Sequence, residues 1–325
     1  MSNGGTAFVT GGSGFIGGRL ISRLVGDGWR VRALARSDSS ASKVSALGAE
    51  PVPGDLGDRD GMRAGAEGSE YAFHAAAHLG EWGKRQEFIR DNVGGTRNAL
   101  EGAREAGVRR FVHVGTEAAL LAGHPLVNVN EDAPLRPDSK ALYPATKAMA
   151  EQAVRDANAD GFETVVVRPR LVWGPGDTTI VPSLAEAIER KRFSWIGGGR
   201  HLTATTHVDN TVHGLLLGAT RGRAGGVYFV TDGEPVVFRE FITALLRAHG
   251  VEPPDRNMAA PIARLAAAAS EGVWRTFRLK GTPPVTRLVY WLLAQECTID
   301  TSRARAELGY EPVISREEGL AALSG

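Results

Sequence analysis

The sequence predicts an α/β protein, a doubly wound parallel sheet with a smaller, mostly helical lobe over its carboxyl edge. Three observations carry this. Through the first 170 residues short β-rich runs alternate with helical patterns, as right-handed βαβ units require. Glycines crowd the turn between the first strand and the first helix, in "FVTGGSGFIGG" at 8–18. Past about residue 170 the alternation gives way to loop-like and helical stretches broken by prolines at 253–254 and 283–284.

The strands are read in order as "TAFVT" (6–10), "RVRALA" (30–35), "EPVPG" (50–54), "EYAFHAA" (70–76), "RRFVHVG" (109–115) and "ETVVVRP" (163–169). Helical spacing runs over Gly14–Val25, Arg85–Ala106 and Lys140–Ala159. "LVWGPGDTTIVPS" reads as loop, "VDNTVHGLLLGATRG" (208–222) as helix and "GGVYFVTDG" (225–233) as a further buried strand. The chain then divides into a dinucleotide-binding part, 1–169 plus 206–232, and a substrate-binding lobe, 170–205 plus 233–325. Ligands of such sheets lie outside the carboxyl ends of the strands, so function is sought just after each strand.

Composition removes several classes of function. A net charge of +1 gives no electrostatic case for nucleic acid. The single cysteine, Cys297, excludes an intrachain disulfide and a CxxC metal site, and fits a reducing cytoplasm. No basic leader precedes an apolar core, because Phe8 and Val9 run straight into glycines. The most apolar stretch, 258–281, is interrupted by Arg264 and Glu271, so it falls short of a membrane span. A soluble cytoplasmic protein is expected. The basic, aromatic stretch Trp274–Arg287 reads as a lid or core helix ahead of a peripheral membrane contact.

Gly11, Gly14 and Gly17, with Gly12, satisfy both GxxGxxG and GxGxxG and enclose Phe15 and Ile16. Glycine there permits a tight turn, close approach of backbone N–H groups to a pyrophosphate, and close helix–strand packing, so the turn reads as a Rossmann-type dinucleotide cradle. At the end of the second strand an NAD site places an acid, but this chain has Ala35, Arg36 and Ser37. Arg36 and Ser37 suit a 2′-phosphate, which favours NADP(H). Asp38 in a shifted register would make it NAD(H). Asp55, followed by Leu56, could accept from the adenine amino group, and Ala75, Ala76 and Ala77 are small enough to pass beside a cofactor. His74 and His78 are four apart, but their strand-end context lacks the carboxylate or third ligand of a metal site, and none is expected.

Tyr143 and Lys147 stand four apart on one helix face, and Pro144 fixes Tyr143 at the helix start. A phenol that titrates near 10 needs about 4 kcal/mol of help to act near neutrality. A lysine ammonium about 4 Å away supplies that order. Thr116, at the end of "FVHVGT", would place a hydroxyl at the same edge as the glycine turn, there to hold a carbonyl or alcohol oxygen while Tyr143 exchanges its proton.

The ordered set "TGGSGFIGG", "GDLGD", "HAAA", "NVGGT", "VGTEA", "YPATK" and "VVVRPRLVWGPGD" resembles the extended short-chain dehydrogenase/reductases over nearly the whole chain. "RPRLVWGPGDTTIVP", "HVDNTVHGLLLGA" and "VYFVTDGEPVVFREF" are most similar to the 3β-hydroxysteroid dehydrogenase and sterol-4α-carboxylate 3-dehydrogenase branch, with dihydroflavonol-reductase-like ketoreductases close by. The resemblance implies that Thr116 is the catalytic hydroxyl and Tyr143 the acid/base. It implies that Lys147 lowers the tyrosine's pKa and bonds the nicotinamide ribose. It also implies that Asn92 supports the active-site helix near the cofactor, that Pro169 to Val172 receive the carboxamide, and that the chain is a homodimer through the helices around 85–106 and 140–159. This chain departs from the pattern at Arg36, where steroid-type relatives carry an aspartate, at Gly115, where Ser or Thr is usual, and at Glu117.

The expected function is NAD(P)-dependent interconversion of a secondary alcohol and a ketone on a small apolar substrate, steroid-like or of 3-oxo acyl type. Glu117, Trp173, Thr178, Ile180 and Trp195 are candidate substrate residues, although aromatics there fit a lobe core equally well. The alternative is an NAD-dependent sugar-nucleotide epimerase or dehydratase, with Arg190, Lys191, Arg192 and Arg200 toward a diphosphate. A non-enzymatic dinucleotide sensor conflicts with the intact Tyr143 and Lys147.

Overall fold

The computed structural model describes residues 4–324. Its centre is a seven-stranded sheet of β1 (Thr6–Thr10), β2 (Arg30–Ala35), β3 (Glu50–Pro53), β4 (Tyr71–His74), β5 (Arg110–Val114), β6 (Glu163–Pro169) and β7 (Val227–Val230). Every pairing is parallel, in the order β7-β6-β5-β4-β1-β2-β3. The order reverses between β1 and β4, and that switch point is where such a sheet opens a crevice for ligand. Covered on both faces, the strands read as continuous apolar runs: Ala7, Val9, Val165 and Val167 have no exposure.

The helix α1 (Phe15–Gly26) follows β1 and buries Leu20, Ile21 and Leu24 on one stripe. Asp38–Ala46 and Arg59–Ala66 follow β2 and β3. The long helical run between β4 and β5 is interrupted: Arg85–Phe88 passes through a π turn at Ile89–Gly94 into Gly95–Glu105. The helix Leu142–Asp156 lies against β5 and β6, tied to β6 by a two-bonded ion pair between Glu151 and Arg168, both essentially unexposed. Val208–Arg221 packs on β5, β6 and β7.

The lobe is built mainly of helices, among them Ile180–Glu189, Phe238–Ala248 and Ala260–Thr276. It contains a four-stranded sheet in the order Val236–Val237, Leu202–Thr203, Cys297–Ile299, Leu126–Val129. The last of these strands comes from the long connection after β5, so the first segment lends an element to the lobe. In the other direction Ala304, Leu308 and Tyr310 return from the chain's end to the core beneath the central sheet. No helix among the described residues is long and apolar enough to cross a membrane.

Candidate active site

Two glycines of the first turn are required by geometry. Gly11 has φ +73°, and a Cβ there would lie 2.6 Å from the backbone nitrogen of Ala76. A Cβ on Gly17 would lie 2.2 Å from the carbonyl oxygen of Gly11. Gly14 caps α1, with its N–H bonded to that same carbonyl at 3.0 Å. Bare backbone thus lines the start of α1, with Phe15 and Ile16 in its first turn and the backbone of Ala75 and Ala76 alongside, at the switch point of the sheet. These residues fit a pyrophosphate at a helix N-terminus. Ala77 continues the same run after β4.

At the end of β2, Arg36 is exposed and has no carboxylate within ion-pair distance among the described residues. Ser37 caps the helix Asp38–Ala46, exchanging hydrogen bonds with Ser40. A cap is thus its structural role, and it also sets Arg36 beside a helix N-terminus. Asp55 is exposed and accepts the Gly57 N–H at 2.7 Å, while the Leu56 carbonyl accepts from Asn98. Asn92 is buried in the π turn, where its amide donates to Thr146 at 3.0 Å and its oxygen accepts the His78 N–H at 2.6 Å. It braces the active-site helix, and its amide is spent on doing so. His74 and His78 part company. His74 is buried between Thr10 and Thr96, its pKa driven down to about 3 by burial and then by Lys147, whereas His78 bonds Asp91 at 2.8 Å.

Thr116 and Tyr143 come together at the carboxyl edge of β5. Tyr143 lies in the first turn of its helix, half-buried, and Thr116 caps a 3₁₀ turn, Glu117–Leu120. The threonine hydroxyl is near enough to the phenol to act on its titration. It accepts the Ala118 N–H at 3.1 Å and donates to a Glu117 oxygen at 2.8 Å. A carboxylate only accepts, so the Thr116 proton is engaged, and the hydroxyl keeps one lone pair to accept a further bond. The other Glu117 oxygen takes Arg170 at 2.6 Å, and both side chains are buried.

The Tyr143 pKa is raised, first by burial and then by the Glu117 charge; only Thr116 acts to lower it. Lys147 turns its ammonium to β5, donating to the Val114 carbonyl at 2.8 Å beside His113 at 3.3 Å. Burial brings Lys147 itself down to about 8. The departure at Gly115 has a packing reason: a Cβ there would lie 2.8 Å from Val166.

The lobe residues divide. Trp173 has no exposure, with its indole N–H donated to Asp232 at 2.8 Å and its ring edge-on to His207 and Phe241. Trp195 is buried against Phe193 and Phe238. Both are core, which corrects their reading as substrate residues. Glu117 is equally withdrawn, behind Thr116. Ile180 is half-buried and Thr178 exposed, in a loop where Asp177 accepts the N–H groups of Thr179, Ile180 and Val181. Pro169 closes β6, and Leu171, just before Val172, is held at φ +44°, a conformation that costs a branched residue strain and concentrates at functional sites. Arg170 escaped the sequence reading, since nothing local marks a partner 53 positions away.

Residues 8–260 match the 3-beta hydroxysteroid dehydrogenase/isomerase family, and the chain belongs to it. It is an oxidoreductase of the extended short-chain type, an NAD(P)-dependent dehydrogenase/reductase acting on CH–OH and C=O groups. Among its relatives is the 4-hydroxy-2-methyl-3-oxo-4-farnesyl-3,4-dihydroquinoline-1-oxide ketoreductase of Stigmatella aurantiaca, 48% identical over 97% of this chain and 95% of the relative. A 2-alkyl-3-oxoalkanoate reductase of Stenotrophomonas maltophilia is 38% identical over 96% of each. The sterol-4-alpha-carboxylate 3-dehydrogenase of Dictyostelium discoideum is 31% identical over 96% of this chain and 98% of the relative. Among solved structures, that of gox2253 superposes with a TM-score of 0.78 at 27% identity, covering 98% of this chain and 97% of that one.

Proposed function

We propose that the chain is an NADP(H)-dependent ketoreductase of small apolar substrates, with Tyr143 as acid/base. The observation that carries the reading is the meeting of Thr116 and Tyr143 at the carboxyl edge of β5, next to a glycine cradle at the switch point. When bound, a nicotinamide dinucleotide supplies or removes the hydride. Gly11, Gly14 and Gly17 hold its pyrophosphate and Arg36 its 2′-phosphate. Tyr143 gives its proton to the substrate oxygen, or takes it in the reverse direction. Thr116, with its own proton engaged by Glu117, accepts from the phenol or from a substrate alcohol and so aligns that exchange. The relatives' farnesylated, alkyl and sterol substrates support an apolar ligand.

Fluorescence titration with NADPH and NADH, on wild type and Arg36→Ala, tests the cofactor assignment. NADPH is expected to bind tighter, and the preference to fall at least tenfold in the variant, as loss of a charge-assisted hydrogen bond implies. Tight NADH binding that ignores the substitution contradicts it, and copurifying oxidised NAD would turn the reading toward an epimerase or dehydratase. The homodimer stays a proposal by resemblance. The apolar faces it would use, with Leu100, Ala103, Ala148 and Val154, are already buried within the protomer.

A further inference from the structure

Lys147 is the one buried lysine of the chain's six: it is 4% exposed, while Lys43, Lys84, Lys140, Lys191 and Lys280 all stand in solvent. A buried ammonium is costly unless its N–H groups are matched by acceptors. Among the described residues no carboxylate lies within ion-pair distance of it. Glu151, one turn further along the same helix, favours its charge from a distance. Both Glu151 oxygens, however, are taken by Arg155 and by Arg168 of β6.

The acceptors come from β5. The Val114 carbonyl takes the ammonium at 2.8 Å, and His113 Nε2 stands 3.3 Å away. His113 is buried, 1% exposed, and held neutral first by burial, then by Lys147 and by His74. A neutral imidazole carries its proton on one nitrogen and a lone pair on the other, whereas an ammonium has no lone pair at all. Beside charged Lys147 the His113 proton therefore belongs on Nδ1, leaving Nε2 to accept. Nδ1 is buried without a partner. It stays orphaned in either tautomer, so that cost falls on both forms of the lysine. The difference lies at Nε2, where the bond to an ammonium is charge-assisted and about twice as strong as the bond to a neutral amine.

We propose that His113 is a positioning residue for the reaction, its Nε2 and the Val114 carbonyl forming a seat on β5 that keeps Lys147 protonated. Burial, offset in part by Glu151, brings the lysine down to about 8, close enough to neutrality for one lost acceptor to decide its charge. The remaining titratable groups near it are Tyr143, one turn earlier on its helix, and His74 on β4, which burial and Lys147 keep neutral. The effect on turnover rests on the reading of Tyr143 as acid/base with Lys147 as its partner. The lysine's charge is measured without substrate or cofactor and stands or fails separately.

The test uses the full chain with carbon-13-labelled lysine. The Lys147 side-chain signal is the one lost in Lys147→Arg, and its titration is followed in wild type, His113→Phe and His113→Gln. Phenylalanine keeps a ring and removes the acceptor, whereas glutamine returns an acceptor at similar reach. The midpoint is expected to fall by about one pH unit in His113→Phe and to recover most of that shift in His113→Gln. The limb of the pH–rate profile for NADPH oxidation that the lysine sets should move with it. An unmoved midpoint in His113→Phe overturns the proposal, as does a glutamine variant that titrates like the phenylalanine one. The tautomer needs no variant: nitrogen-15 shifts should show the His113 proton on Nδ1 below the lysine midpoint, and a proton on Nε2 there overturns the proposal too. A midpoint that falls while the pH–rate limb stays put supports the seat and overturns the part given to Lys147 in turnover.

Discussion

Tyr143 stands between opposing influences: burial and the Glu117 charge hold its proton on, and the Thr116 hydroxyl eases it off. Glu117 is thereby a positioning residue. It fixes the direction of the Thr116 hydrogen bond and, with Arg170, anchors it in the core. In Glu117→Gln the charge is gone, so the tyrosine limb of the pH–rate profile should move to lower pH. A merely structural loss would scale the profile without shifting it. The substitution also leaves Arg170 without its counterion, for which about 3 kcal/mol of stability should be lost, read from urea unfolding.

Among the elements, β4 and β5 carry two stacked buried imidazoles, His74 and His113, with ring centroids 5.4 Å apart. Both are held neutral, first by burial and then by Lys147. A folded value near 3 against an unfolded value near 6.5 means the unfolded chain binds more protons between those limits. The stability His74 contributes is therefore complete above 6.5 and is lost as pH falls toward 3. Acidification from 6.5 to 5 should cost about 2 kcal/mol through His74 alone. Urea unfolding at the two pH values checks this, and His74→Asn, whatever its starting stability, should lose correspondingly less. Equal acid sensitivity of the two proteins would place the liability elsewhere.

Over the whole molecule, the sequence made the central sheet legible because doubly covered parallel strands are unbroken apolar runs, as in Val165–Val167. It made the cradle legible because no residue but glycine fits at 11 and 17. What stayed hidden is what depends on partners far apart in the chain. The Glu117–Arg170 pair spans 53 positions and the Leu126–Val129 strand meets Cys297–Ile299 across some 170. Periodicity did not mark the π turn that places Asn92 under Thr146. Trp173 and Trp195 had the composition of either a pocket or a core, and only packing assigned them to the core. Arg36 and Tyr143 sit on opposite sides of the switch point, one at the end of β2 and the other beyond β5, so the account requires both to act on one bound dinucleotide. The most direct measurement is NADPH oxidation with a long-chain 3-oxo acid as probe, by wild type and Tyr143→Phe, alongside NADPH binding by fluorescence. Wild type should turn over, and the variant should lose at least about a hundredfold in rate while keeping its NADPH affinity. A Tyr143→Phe protein that reduces the ketone as fast as wild type would contradict the account.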